Sequence, residues 1–258
     1  MTSEIEFLNL QKGIVYGPIF SRRLGRDLGI NLLSSKMKVC NFDCVYCQYG
    51  PSNFQESQCS NASFFNCESI LKAISSYIKK PFSLDHITIS GNGEPTLHPD
   101  FSQIVNELIK LRDRYKPGVP IALLTNGSRL NRPDVIKAVH VIDKPIFKLD
   151  AGNPEKFKQI NRSESSVNFS TLIASYLRID SIILQTALFK GKLSNTSEHE
   201  IASLARTIAL ISPKEVQLYT IERAYDPAFI TPLSLDELDK FANHLADLTG
   251  SKITTYAY

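Results

Sequence analysis

Hydrophobic positions along this chain switch repeatedly between two spacings, that of a helix face and that of a short buried strand. Residues 67 to 80 place Ile70, Leu71, Ile74, Tyr77 and Ile78 on one helical face, and His86 to Ser90 then reads as a strand. Phe101, Ile104, Val105 and Leu108 repeat the helical spacing, and the apolar run from Pro120 to Thr125 forms the next strand. The alternation continues with a helix over 133–139, a strand over 145–150, a helix over 171–178 and a strand over 181–188. Ile201, Leu204, Ala205 and Ile208 mark another helix ahead of a strand over 215–221. In the final helix Ser234 and Glu237 have capping-box spacing, Leu235, Leu238, Phe241 and Leu245 share a face, and Gly250 stands past the end.

Counting a first strand near Leu28 to Leu33, the chain carries six β–α units in tandem, and such units build parallel sheets with right-handed crossovers. The pattern predicts an α/β protein with a partial (β/α)6 TIM-like barrel, in one domain: an N-terminal arm over 1–27 and the barrel over 28–258. In such barrels the active site gathers where strands end, so the polar residues just after each strand are the candidates. Residues 52 to 62, rich in Ser, Asn and Gln, read as a loose excursion.

Composition narrows the class only a little. The 258 residues are 43% hydrophobic and 21% charged, ordinary for a globular chain, and a net charge of +3 neither announces nor excludes a nucleic-acid partner. The first residues lack the basic start and apolar run of a signal peptide, and no segment approaches the ~20 apolar residues of a membrane span. The expectation is a soluble cytoplasmic protein with no membrane partner, in which free thiols survive.

Those thiols carry the sharpest signal. Cys40, Cys44 and Cys47 stand at CxxxCxxC spacing, three thiolates in one loop with no fourth nearby. Three ligands on a cubane iron–sulfur cluster leave one iron free to bind something other than protein. A zinc site would need a fourth ligand, and the first His on the C-terminal side is His86. A disulfide would need an oxidising compartment. Cys59 and Cys67 are too few for a second all-cysteine cluster and are read as non-ligating.

The CxxxCxxC spacing, with the aromatic Tyr46 just before the last Cys, resembles the radical S-adenosylmethionine (SAM) enzymes. The resemblance implies that Cys40, Cys44 and Cys47 ligate a [4Fe–4S] cluster whose open iron chelates SAM. One electron then cleaves SAM to methionine and a 5′-deoxyadenosyl radical that takes a hydrogen atom from substrate. It also implies an electron donor such as flavodoxin or ferredoxin. Ser90-Gly-Asn-Gly-Glu-Pro-Thr96 is similar to the family's Gly-Gly-Glu-Pro motif, which receives the ammonium of SAM, with Asn92 in place of the second Gly. Gly91, Asn92, Gly93 and Glu94 are therefore candidate SAM contacts; a plain loop turn is the alternative. Thr125-Asn-Gly127 is similar to another family string and makes Asn126 a candidate, though Asn and Gly also suit a simple turn.

Asp150 ends a strand, where a buried carboxylate needs a partner. A SAM ribose hydroxyl, the substrate, or Lys148 on the same strand face would each serve. Gln185 and Glu222 could reach the same end of the barrel, with surface or core hydrogen bonding as the default reading of each, and Tyr219 to Ile221 mark where the family's adenine usually meets the last strand. The string Tyr16-Gly-Pro-Ile-Phe-Ser-Arg-Arg-Leu-Gly-Arg-Asp27, together with Lys-Leu-Asp-Ala151 and Gln-Leu-Tyr-Thr-Ile-Glu-Arg223, resembles the group of iron–sulfur oxidoreductases related to tRNA wyosine synthases. Those enzymes carry a second cluster on upstream cysteines and a lysine that captures pyruvate, whereas no cysteine precedes Cys40. Arg22, Arg23 and Arg26 suit an anion-binding arm for tRNA or another substrate, or ion pairs that hold the arm. A glycyl-radical activating enzyme acting on a protein substrate and a non-enzymatic iron–sulfur redox sensor remain the alternatives.

Overall fold

The computed structural model describes residues 7–52, 63–222, 226 and 228–256. Cys59 and the excursion over 53–62 lie outside the described residues. The chain divides into two compact units, one of residues 10–41 and 52–146, the other of residues 1–9, 42–51 and 147–258.

In the first unit an antiparallel hairpin, β1 (Val15–Ser21) and β2 (Gly25–Ile30), opens onto parallel strands β3 (His86–Ile89) and β4 (Ile121–Thr125). Helices α1 (Cys67–Ile78), α2 (Phe101–Tyr115) and α3 (Pro133–His140) connect successive strands. The faces read from the sequence are the ones buried: Ile70, Ile74 and Ile78 on α1, and Phe101, Ile104, Val105 and Leu108 on α2. All four residues of β3, His86, Ile87, Thr88 and Ile89, are buried, as in a parallel strand covered on both faces. The first strand starts three residues earlier than expected, and the arm holds a strand the sequence did not reveal. That strand, β1, is an exposed edge interrupted by Pro18, a position edge strands tolerate.

The division falls within β5 (Lys144–Lys148). In the second unit β6 (Ile183–Leu188), β7 (Glu215–Thr220) and β8 (Ile253–Tyr256) pair in parallel. Helices α4 (Pro154–Asn161), α5 (Phe169–Tyr176), α6 (Glu198–Ile211) and α7 (Leu235–Thr249) complete the alternation. The six strand–helix units expected from the sequence run from β2–α1 to β7–α7.

Helix α7 has the capping box its sequence announces. Ser234 Oγ accepts from the Glu237 N–H, and a Glu237 carboxylate oxygen accepts from the Ser234 N–H at 2.8 Å. Gly250 ends the helix at φ 65°. Leu238 and Leu245 are buried as expected, but Leu235, placed on the same face by the sequence, is 54% exposed. It is the first residue of the helix, ahead of the turn that packs on the core. Helix α4 and strand β8 are further elements the sequence reading missed.

Candidate functional site

In the first unit, Glu94 stands five residues beyond β3 and is 2% exposed. One carboxylate oxygen accepts from the Thr96 N–H (3.1 Å), the Thr96 hydroxyl (2.6 Å) and the Thr125 hydroxyl (2.6 Å); the other accepts from the Asn126 N–H (2.6 Å). All of these donors are uncharged. Burial raises the Glu94 pKa above the ordinary carboxylate value, and the hydrogen bonds from Asn126, Thr125 and Thr96 only partly oppose it. Asn126 also donates its amide to Asn41 Oδ1 at 3.0 Å, so the two candidate turns after β3 and β4 meet around one carboxylate.

The glycine before Glu94 is required by close approach. A Cβ at Gly93 (φ 147°) would lie 1.8 Å from the Val39 carbonyl oxygen. Val39 N–H donates to Asn92 O (2.8 Å) and Glu94 N–H to Val39 O (2.9 Å), a parallel bridge that sets Cys40 one residue from the Glu94 turn. Asn92 departs from the family's glycine because its side chain is used. Its Nδ2 donates to Gln11 O (2.9 Å) and Ser34 O (2.8 Å), and its Oδ1 accepts from Gln11 N–H (2.8 Å). Gly91 precedes it at φ 131°.

In the second unit the cysteine loop is fastened by main chain. Asp43 N–H donates to Asn161 O (3.0 Å) and Val45 N–H to Ile160 O (3.0 Å). These acceptors are last-turn carbonyls of α4, which have no partners within the helix. Cys47 N–H donates to Cys44 O (2.9 Å), closing the loop between the two thiols. Asn161 Nδ2 donates to Cys44 Sγ at 3.4 Å. Burial, and after it the Asp150 charge, push the Cys44 thiol up to about 11, so an iron ion would have to displace its proton.

Asp150, two residues past β5 and 1% exposed, is the hub of this unit. Oδ1 accepts from the Ala187 N–H (2.8 Å) and pairs with Lys148 Nζ (3.2 Å). Oδ2 accepts from Asn161 Nδ2 (2.7 Å) and from the Tyr46 hydroxyl. Lys148, the candidate partner on the same strand, is thus one of four partners. Its ammonium also donates to Tyr219 OH (2.5 Å) and lies 4.7 and 4.8 Å from the ring centres of Tyr46 and Tyr219. Burial opposes the lysine charge, yet Asp150 and Tyr219 more than offset it and hold the pKa above the ordinary lysine value. Tyr46 is pushed up by burial and by the neighbouring Asp150 charge. Tyr46 and Tyr219 flank an apolar cluster of Ile160, Ala187, Phe189, Ile221 and Ile230.

The remaining candidates fall elsewhere. Gln185 is buried on β6, directly opposite Gln217 of β7, and Glu222 follows the end of β7 half-buried. Arg22 and Arg23 occupy the β1–β2 turn, and Arg26, on β2, pairs with Asp85 at 3.3 Å. All three lie toward the amino end of β2, whereas Glu94 follows the carboxyl end of its parallel neighbour β3. Cys67 opens α1 and is half-buried. Asn161 and helix α4 were missed, although Asn153-Pro154-Glu155 is a start signal: the Asn153 side chain accepts from Lys156 N–H at 2.8 Å.

These groups suit particular ligands. An amide N–H directed at a cysteine sulfur favours a sulfur carrying negative charge, as in a metal thiolate. Among the described residues no three His, Cys, Asp or Glu side chains gather as a single metal ion would need, and a cubane instead takes each thiolate on a separate iron. A buried carboxylate with only uncharged donors suits an incoming ammonium group. No helix among the described residues is long and apolar enough to cross a membrane.

Residues 34–176 match the Radical SAM superfamily. A UPF0026 protein of Helicobacter pylori is 31% identical over 234 residues, covering 88% of this chain and 72% of that protein. A protein of Brachyspira hyodysenteriae named GTPase Obg is 28% identical over 231 residues; the match covers 88% of this chain but spans only 32% of the longer relative. The structure of TYW1 with a lysine-pyruvate adduct bound has a TM-score of 0.62 at 17% identity, over 86% of this chain and 73% of that one. The fold is accordingly the partial (β/α)6 barrel of the radical SAM type, and the family's [4Fe–4S] cluster and SAM are its cofactors. With its three-cysteine loop and the strand-end carboxylates Glu94 and Asp150 inside the matched span, the chain belongs to the radical SAM superfamily and is a radical SAM enzyme.

Proposed function

We propose that Cys40, Cys44 and Cys47 hold the [4Fe–4S] cluster, that Glu94 receives the ammonium of SAM, and that the enzyme abstracts a hydrogen atom from a nucleic-acid substrate, a tRNA base. When bound, the cluster and SAM supply reductive cleavage of SAM and the 5′-deoxyadenosyl radical that takes the hydrogen atom. The observation that carries this reading is the loop of three cysteines with no fourth. The protein residues have separate tasks. Glu94 offers the ammonium a buried anion whose donors among the described residues are all uncharged, and Gly93 brings its turn against the cysteine segment. Asp150 and Lys148 hold Tyr46, the residue between Cys44 and Cys47 in the loop. An electron donor such as flavodoxin or ferredoxin completes the system.

The test is anaerobic reconstitution with iron and sulfide, addition of SAM and dithionite, and chromatography for 5′-deoxyadenosine. Wild type should form it and Cys44→Ala should not. A fully loaded cluster that neither binds nor cleaves SAM overturns the reading. The tRNA assignment draws support from the likeness of the Tyr16–Asp27 string to the wyosine synthase group. A shift of bulk tRNA at low salt, lost when Arg22, Arg23 and Arg26 are neutralised, is expected; no shift at low salt removes it.

A further inference from the structure

Asn161 is 1% exposed at the last position of α4, and its side-chain amide has two acceptors and one unfilled end. Nδ2 faces Asp150 Oδ2 at 2.7 Å and Cys44 Sγ at 3.4 Å, while Oδ1 is buried with no hydrogen-bond partner among the described residues. The amide cannot turn over. Asp150 already accepts from Tyr46 and the Ala187 N–H and pairs with the Lys148 ammonium, so it faces the amide as an acceptor only, and Oδ1 in the place of Nδ2 would set oxygen against carboxylate. One proton of Nδ2 is therefore committed to Asp150, and the other is directed to the sulfur.

An amide held this way leaves a buried carbonyl oxygen unpaired, which native structures generally avoid outside functional sites. The main chain around it is fixed as well, because Asn161 O and Ile160 O accept the N–H groups of Asp43 and Val45 on either side of Cys44. The donor is thus delivered to one sulfur by three independent fastenings. Hydrogen bonds to cluster sulfurs stabilise the reduced, more negative state and raise the reduction potential.

We propose that Asn161 is a positioning residue that sets the reduction potential of the cluster by donating an N–H···S hydrogen bond to Cys44 Sγ, with Asp150 holding the amide in that orientation. This rests on the reading of Cys44 as a cluster ligand. The potential governs how readily an external donor can load the electron used on SAM, so Asn161 acts through the cluster and not on substrate.

The experiment compares reconstituted wild type, Asn161→Leu and Asn161→Ser in redox titrations followed by electron paramagnetic resonance, with iron and sulfide content measured in parallel. Asn161→Leu should keep the full iron content but show, at a fixed applied potential, on the order of tenfold less reduced cluster, the effect of one hydrogen bond to a charged group. For a one-electron couple that tenfold change corresponds to about 59 mV. Asn161→Ser, which retains a weaker donor, should fall between. A second measurement needs no variant: pulsed resonance on wild type exchanged into D2O should show an exchangeable deuteron coupled to the reduced cluster and lying outside the backbone set. Equal potentials in the three proteins, or no such deuteron, overturn the proposal. Loss of the cluster from Asn161→Leu with circular dichroism intact also overturns it, since Asn161 would then retain iron and not tune it. Failure of wild type to bind a cluster would instead overturn the ligand reading beneath it, and Cys44→Ala separates the two.

Discussion

Glu94 and Asp150 are both buried carboxylates delivered just past the carboxyl end of a strand, yet their surroundings are opposite in kind. Asp150 carries its own cation, Lys148 at 3.2 Å, and spreads the remaining charge over Tyr46, Asn161 and the Ala187 N–H. Among the described residues Glu94 is met by two hydroxyls and two main-chain N–H groups and by no cation, and burial raises its pKa. A buried anion with a fixed cation is structural material, because the pair is neutral as built. A buried anion without one is costly until a cation arrives, which is the condition of a ligand site. Asp27, in the same unit as Glu94, is a second such anion: 4% exposed, held by the Thr88 hydroxyl at 2.6 Å, and pushed up to about 6 by burial against that hydrogen bond.

Removing the hub gives the largest expected effect. Asp150→Ala strands the Lys148 ammonium and should cost roughly 3–5 kcal/mol of folding stability, measured by urea unfolding. A cost below about 1 kcal/mol, the value of an exposed pair, would break the distinction between the two carboxylates. Next is a pH effect. Because the folded-state pKa of Asp27 lies above its unfolded value of 3.8, the native state holds the proton more tightly, and stability should fall as pH rises from about 4 to about 6. The shift amounts to about 3 kcal/mol across that window. Asp27→Asn should flatten the decline, and an unchanged slope would place the proton elsewhere.

On the proposed role of Glu94, Glu94→Gln keeps the shape and removes the charge. SAM affinity measured by calorimetry on the cluster-loaded protein should drop by about 2 kcal/mol, roughly thirtyfold. Iron content should stay unchanged, and an unchanged affinity would make Glu94 a loop anchor. The smallest effect is a control away from both centres. Ser234→Ala removes half of the α7 capping box and should cost about 1 kcal/mol, visible as a melting temperature lower by about 2–4 °C.

The Glu94 centre was far more legible than the Asp150 centre, and the reason is distance along the chain. Glu94, Thr96, Thr125 and Asn126 sit in two short strings, each with its own turn residues, so local patterns expose them. Asp150 is defined by partners such as Tyr46, 104 residues away, and Asn161, on a helix of eight residues with little apolar signal beyond Phe157 and Ile160. The long helices were read correctly because Ile70, Ile74 and Ile78, or Phe101, Ile104 and Leu108, bury one face each. Strand β1 was not, because an exposed edge with Gly17 and Pro18 has no need of apolar alternation. The three arginines of the arm were legible as charges but not as to which end of β2 they occupy.

The loop that carries Cys44 is held by the carbonyls of α4 through the N–H groups of positions 43 and 45. Specification borne by main chain is blind to the side chain that happens to be there. This part of the fastening therefore survives exchange of either side chain, and what constrains the residues themselves is separate: Asp43 pairs with Arg162 at 4.0 Å, and Val45 packs on the apolar cluster. The one residue barred from both is proline, which has no hydrogen to give.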